Sequence, residues 1–144
     1  MIIEQVLSEK GGALITVPPE ATAIQVAQIL SSKRIGLVIV SSPGGRLLGV
    51  ISERDIVRFV AEDVARLATI NAGEMMSSKV ITCTPADDVR KVMSVMHERG
   101  FRHMPVVQHG HIRGLVSSRD LLKHLVAEAD LHQQAAAWSD LDFI

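Results

Sequence analysis

Gly49-Val-Ile-Ser-Glu-Arg-Asp-Ile-Val57 returns, about 65 residues later, as Gly114-Leu-Val-Ser-Ser-Arg-Asp-Leu-Leu122. Gly, Ser, Arg and Asp are identical, and apolar residues mostly replace apolar ones. A repeat at fixed spacing decides architecture before any local reading does. The match runs on into the next segment, where Ile56, Val57, Val60 and Ala61 correspond to Leu121, Leu122, Leu125 and Val126. Upstream, Ala23, Val26, Ala27, Ile29 and Leu30 correspond to Val89, Val92, Met93, Val95 and Met96.

Each copy reads as strand, helix, strand, strand, helix. A short extended piece (Leu14 to Val17, then Val80 to Cys83) precedes apolar residues at helical spacing, from Thr22 to Lys33 and from Asp87 to Arg99. Two strands around a tight turn follow: Gly36 to Ser41 with Leu47 to Ser52, and His103 to Gln108 with Ile112 to Ser117. The turns hold Pro43-Gly44-Gly45-Arg46 and His109-Gly110-His111, where Gly supplies positive φ. A second helix starts at Glu53 and at Ser118. Residues 62–78 join the copies through a helical continuation and a turn near Asn71-Ala-Gly73. The chain divides into residues 1–66, a first repeat with its N-terminal segment (core about 12–62); 67–128, a second repeat with the linker; and 129–144, a C-terminal helix extension and tail. Apolar residues in that tail suggest docking. No flexible linker separates the copies, and a unit of this size buries too little surface alone, so they are expected to share one fold.

Composition narrows the function. The chain has 144 residues, 47% apolar but only 3% aromatic, which leaves few rings for stacking on bases. Net charge is -1, from 15 basic and 16 acidic residues, without the excess of a phosphate-backbone binder. No apolar run is long enough to span a bilayer, and the N-terminus does not resemble a signal peptide. A single Cys83 excludes an internal disulfide and points to a reducing, cytoplasmic setting. No nucleic-acid partner and no membrane insertion are therefore expected.

The order of elements, with Gly-x-x-Ser-x-x-Asp before each final helix, resembles the CBS domain. Gly100-Phe-Arg-His-Met-Pro-Val-Val107 looks like the family's strand lead-in and Gly49 to Val57 like its strand exit. The resemblance covers about residues 12–128. It implies an α/β (α+β) fold of two pseudo-symmetric repeats packed sheet to sheet, a Bateman module, often assembled as a homodimer. It also implies two clefts between the repeats that frequently bind adenine nucleotides.

Two readings of the loops stay open. Ser52-Glu-Arg-Asp55 and Ser117-Ser-Arg-Asp120 fit a capping box, in which the Ser oxygen accepts from the helix N–H and the carboxylate reaches back. Thr84-Pro-Ala-Asp87 fits the same template. A helix N-terminus also suits phosphate. Arg54 and Arg119 add charge, and Asp55 and Asp120 can accept from two ribose hydroxyls. By motif match, the family's ribose and phosphate contacts fall on Ser52 and Asp55, and on Ser117 and Asp120. Arg102 and His103, with Met104 and Pro105 after them, add to the second copy's site. The first copy has Ile35 and Gly36 at the positions of Arg102 and His103. Contacts in the family usually cross, so Thr84 is expected at the Ser52/Asp55 cleft, and Val17 with Pro18, through backbone groups only, at the Ser117/Asp120 cleft. The Arg102/His103/Ser117/Asp120 cleft is favoured for phosphate.

Rival sites carry less. His109 and His111 share a turn with no Cys or carboxylate beside them in sequence, so no metal is expected. His124 and His132 suggest a polar helix face. Met75, Met76, Met93, Met96 and Met104 suit core filling, and Cys83 has no resolving thiol. No nucleophile elbow, P-loop, Cys-x-x-Cys or His-Glu-x-x-His is present. The sequence therefore points to a non-catalytic regulatory module, with no required cofactor, that takes AMP, ADP or ATP and signals to a separate, unidentified effector protein. The alternative is a ligand-free dimerisation module docked on an enzyme or transporter.

Overall fold

The computed structural model describes residues 1–129. The C-terminal tail and His132 lie outside the described residues. In chain order the elements are α1 (Ile3–Lys10), β1 (Thr16–Val17), α2 (Ala23–Lys33), β2 (Leu37–Ser41), β3 (Leu47–Ser52) and α3 (Glu53–Asp63). A 3-10 turn (Val64–Ala68) leads to α4 (Ala72–Met75), α5 (Val89–Arg99), β4 (His103–Gln108), β5 (His111–Ser117) and α6 (Ser118–Glu128). The protein is a mixed α/β fold of two repeats, as the duplicated motif requires.

The copies share their irregularities as well as their order. β1 runs parallel to β2, and β2 runs antiparallel to β3. β4 and β5 form the matching hairpin. Both hairpins shift register toward the turn, between Val40 and Ser41 and between Val106 and Val107. The expected strand at Val80 to Cys83 shrinks to one bridge: Cys83 N–H donates to Pro105 O at 3.0 Å and Cys83 O accepts from Val107 N–H at 2.8 Å. The second turn closes on His109 and Gly110, both at positive φ, which suits the right-handed twist of a two-residue hairpin.

The local caps largely follow the sequence. Thr22 caps α2 with Gln25 as its reciprocal partner. Two expectations fail. Thr84 does not cap α5; its N–H donates to Asp87 Oδ2 at 2.8 Å in the preceding turn, and the cap is Asp88, whose Oδ1 accepts from Arg90 and Lys91. Asn71-Ala-Gly73 is not a plain turn. Asn71 caps the short helix α4, with Glu74 closing the box.

The cores cross the sequence division. α1 is absent from the sequence-based element order, yet its Ile3 and Val6 are fully buried beside Val89, Val92, Met96, Met104, Val106, Val116 and Leu121 of the second repeat. Ala72 of α4 packs conversely with Val17, Val26, Leu30, Val38, Val40 and Ile51 of the first. The residues before each repeat thus cover the other one. Gly49 makes room for one of these crossings. A Cβ there would lie 2.6 Å from Met76 Sδ and 2.7 Å from the Ser77 carbonyl oxygen, which has no freedom to swing away. The opposed Val50 and Ser77 exchange both backbone hydrogen bonds at 3.0 Å. At the other ends of the sheets, Ile112 N–H donates to Gly45 O at 3.0 Å and ties the two hairpin turns together.

Candidate functional site

Both Ser/Asp loops form the capping boxes that their spacing allows. Ser52 Oγ accepts from Asp55 N–H at 3.1 Å, and Asp55 Oδ2 accepts from Ser52 N–H at 2.8 Å. The matching distances at Ser117 and Asp120 are 3.0 and 2.9 Å. Each loop is also fastened to its own strand lead-in. Glu53 N–H donates to Gly36 O at 3.0 Å, and Ser118 N–H to Arg102 O at 2.8 Å. Capping therefore operates at both loops, and their surroundings are what tell them apart.

The second loop opens on a cleft between the repeats. From the second repeat come Arg102, His103, Leu115, Ser117, Ser118 and Arg119; from the first come Leu30, Ser31, Arg34, Ile35, Gly36, Leu37 and Glu53. Its volume is about 850 Å³. A smaller cavity of about 220 Å³ shares Lys10, Ile35, Leu37 and Leu115 with it, and adds Leu7, Gly11, Gly12, Ala13, Leu14 and Ile15. One end of the combined cleft is thus cationic and hydroxyl-bearing, and the other is mainly aliphatic, with Arg113 also lining it. The His103 ring packs against Gly36, where a Cβ would lie 3.1 Å from Cε1. The absence of a side chain at Gly36 lets the two strand lead-ins approach.

Lys10 dominates the polar end. Its Nζ donates to Asp120 Oδ2 at 2.8 Å and to Leu115 O at 2.8 Å. Burial alone works to raise the Asp120 pKa, but the Lys10 ammonium and the Ser117 N–H and hydroxyl outweigh it and hold the carboxyl below its ordinary value. A depressed carboxyl stabilises the fold above its unfolded pKa, and that contribution is lost as the pH falls through the lower folded value. His103 is lowered, first by burial and then by Lys10, with Arg102 adding to it; Asp120 and Glu53 pull the other way. Its imidazole is neutral at pH 7, available to accept or donate one hydrogen bond. Glu9, the residue before Lys10, places Oε2 at 2.6 Å from His124 Nε2. That nitrogen makes no directed hydrogen bond among the described residues. His124 is buried, with Nδ1 3.1 Å from Asp120 O, and does not join the polar outer face expected of it.

The first loop is poorer. Among the described residues the cation that Asp55 meets is the exposed Arg58, at 3.4 Å, a pairing worth little in solvent. Arg54 is exposed and lines a shallow depression with Glu53, Val57 and Arg58. Thr84, expected opposite, is exposed and held by Asp87. Among the other sequence candidates, Ser117, Arg119, Arg102 and His103 do meet at one cleft. The Met104 side chain is sealed in the core, Pro105 is buried, and Val17 packs in the first repeat's core. The Met104 and Pro105 side chains thus serve packing, and so does that of Val17, whose expected contact with the cleft runs through its backbone. Leu14 and Ile15, just before Val17, line the smaller cavity of the cleft. Lys10, Arg34 and Glu53 were missed; the signal for Lys10 was the helical spacing of Ile3, Val6 and Leu7 just before it.

The remaining candidates are inert. Burial, helped by the Asp87 charge, pushes the Cys83 thiol up to about 12. Among the described residues no three His, Cys, Asp or Glu side chains gather as a metal site, and no helix is long and apolar enough to cross a membrane.

Comparison with known proteins sets this geometry in a family. The family model described as CBS domain matches residues 8–62 and 72–127. An uncharacterized protein of Methanopyrus kandleri is 30% identical over 111 residues, 76% of this chain and 57% of that protein. A mitochondrial CBS domain-containing protein of Arabidopsis thaliana is 28% identical over 88% of this chain. The chain spans 57% and 65% of the lengths of these two relatives. Among solved structures, a CBS-domain containing protein from Agrobacterium tumefaciens superposes with a TM-score of 0.80 at 30% identity, covering 87% of this chain and 99% of that one. Two more distant structures share the fold. A CBS domain pair in complex with 5'-methylthioadenosine and S-adenosyl-L-methionine has a TM-score of 0.76 at 22% identity, covering 90% of this chain and 98% of that one. CBSX2 in complex with AMP has a TM-score of 0.76 at 16% identity, covering 88% and 97%.

Proposed function

This chain belongs to the CBS-domain family as a tandem pair, and from that premise we propose that it is a non-catalytic regulatory module that binds an adenine nucleotide between its repeats. The observation that carries the reading is the division of one cleft into two chemistries. Lys10, Arg34, Arg102, His103 and Arg119 gather cationic and hydrogen-bonding groups at one end, beside the Ser117 hydroxyl at the N-terminus of α6. Leu14, Ile15, Ile35 and Leu37 offer aliphatic surface at the other. A nucleotide is built the same way, with a flat base, a diol and an anionic phosphate. A helix N-terminus with adjacent cations suits the phosphate, and the aliphatic strip suits the base. Asp120 suits the ribose diol, as Asp55 would at the first loop. The adenosine compounds bound by the two distant structures agree with this class of ligand.

The readout is a shift in melting temperature on addition of AMP, ADP, ATP or S-adenosylmethionine. A ligand at a hundred times its Kd stabilises the folded state by about 2.7 kcal/mol, which is several degrees for a domain of this size. If a folded protein shows no shift with millimolar concentrations of any of the four, the ligand reading is wrong and the ligand-free scaffold takes its place.

Signal output requires a second surface. α3 has no fully buried residue, and Val57, Val60 and Val64 stand exposed in a row at helical spacing, with Val57 68% exposed. Such a stripe fits a second copy of the chain, and an effector protein in the cytoplasm would read the arrangement of the pair. A single Val60→Asp change is expected to convert a homodimer to a monomer in sedimentation. A wild-type chain that sediments as a monomer at tens of micromolar would exclude the dimer.

A further inference from the structure

Lys10 stands where the ligand's two polar demands meet. It lines both cavities of the cleft, its ammonium is 2.8 Å from Asp120 Oδ2, and its side chain keeps 39% exposure. It reaches this position from the last turn of α1, across 110 residues of sequence from its partner. Asp120 has no other side-chain cation bonded to it among the described residues, and Oδ2 also accepts from Ser117 N–H at 2.9 Å. Asp55, at the matching position of the first repeat, has no counterpart of Lys10 from the crossing segment.

From these placements we infer that Lys10 sets the selectivity of the cleft for phosphorylated over unphosphorylated nucleosides, by exchanging partners when ligand binds. The inference rests on the adenine-nucleotide reading above. Without ligand, the ammonium neutralises Asp120. A ribose diol that donates to Asp120 displaces it. The ammonium, 39% exposed, then keeps the Leu115 carbonyl and solvent, and gains from a nearby anion, to which a charge-assisted hydrogen bond is stronger. A 5'-phosphate supplies one, within reach of the four-carbon stem and alongside Arg102 and Arg119. A nucleoside breaks the Lys10–Asp120 pair and gives nothing back; a nucleotide breaks it and makes a replacement. Discrimination follows from the pair that binding must disrupt, as much as from the contact it creates.

The test is isothermal titration of the full chain with AMP and with adenosine, on wild type, Lys10→Met and Lys10→Arg. Lys10→Met keeps the aliphatic stem over Leu115 and removes the charge. Wild type is expected to prefer AMP. Lys10→Met is expected to lose roughly ten- to hundredfold in AMP affinity, the range of a hydrogen bond to a charged group. Its adenosine affinity is expected to stay the same or rise, because Asp120 no longer has to give up a partner. Lys10→Arg is expected to recover most of the AMP preference. Melting each variant without ligand separates loss of fold from loss of selectivity. A wild type that binds both compounds equally, or a folded Lys10→Met that loses both in proportion, overturns the role of Lys10 and leaves the nucleotide reading standing. A wild type that binds neither overturns the nucleotide reading and this inference with it.

Discussion

Asp120→Asn is expected to weaken adenine-nucleotide binding roughly ten- to hundredfold, while Asp55→Asn leaves it within about twofold. The two residues have the same local geometry. Each is the third residue of its helix, and each closes a capping box on a serine N–H at 2.8 or 2.9 Å. Asparagine retains the side-chain oxygen for that bond, so neither helix loses its cap. What changes is charge. A carboxylate accepts hydroxyl hydrogen bonds about twice as strongly as a neutral amide does. Asp120 is bonded to Lys10, which lines a cleft of about 850 Å³, and Asp55 lies beside a solvated arginine. The stability cost of Asp120→Asn is small, within about 1 kcal/mol, because the Lys10 pair keeps solvent contact at both ends. Titration of both variants decides the matter. Loss confined to Asp55→Asn would move the ligand to the first loop.

The largest stability effect is expected at the other end of the chain. Ile3→Ala should cost about 2–5 kcal/mol, the range for deleting a buried branched side chain. Ile3 is fully buried among residues that lie 80 and more positions away. A small domain holds only about 5–15 kcal/mol in total, so one substitution in the first turn of α1 removes a large part of it. Urea unfolding followed by circular dichroism measures it as a lower midpoint with an unchanged slope. Leu122→Ala, at a 51% exposed position of α6, serves as the control, within about 0.5 kcal/mol. A loss below about 1 kcal/mol at Ile3 would mean that α1 is an appendage outside the second core.

The difference between those residues marks where the sequence is legible. Local spacing was readable: Gly, Ser and Asp recur at fixed offsets, and the capping boxes at Ser52 and Ser117 form as the offsets require. The hairpins were readable because strand alternation and positive-φ turn residues act over a few positions. Two local misreadings came from competing chemistry. At Thr84 a second acidic residue, Asp88, takes over the cap and leaves Asp87 to the turn. At Asn71 the glycine two residues on suggested a turn, while Glu74 at the third helical position decided for a helix. The crossing of α1 and α4 was not readable, because nothing in a segment's own residues states which of two similar cores it will cover. The same holds at the cleft. Ser117, Arg119, Arg102 and His103 were found by motif. Lys10 was not, since its only tie to Asp120 is through folded space.

The crossing of α1 also orders events in time. Residues 3–10 leave the ribosome well before residues 83–121, which make their seat, with Leu125 packed beside it. At about 5–20 residues per second the wait lasts roughly 6–24 s. A peptide of eight residues does not hold a helix in water for that interval. Residues 3–10 therefore stay unstructured until residues 83–121 exist, and the site that joins Lys10 to Asp120 forms only after both have been made.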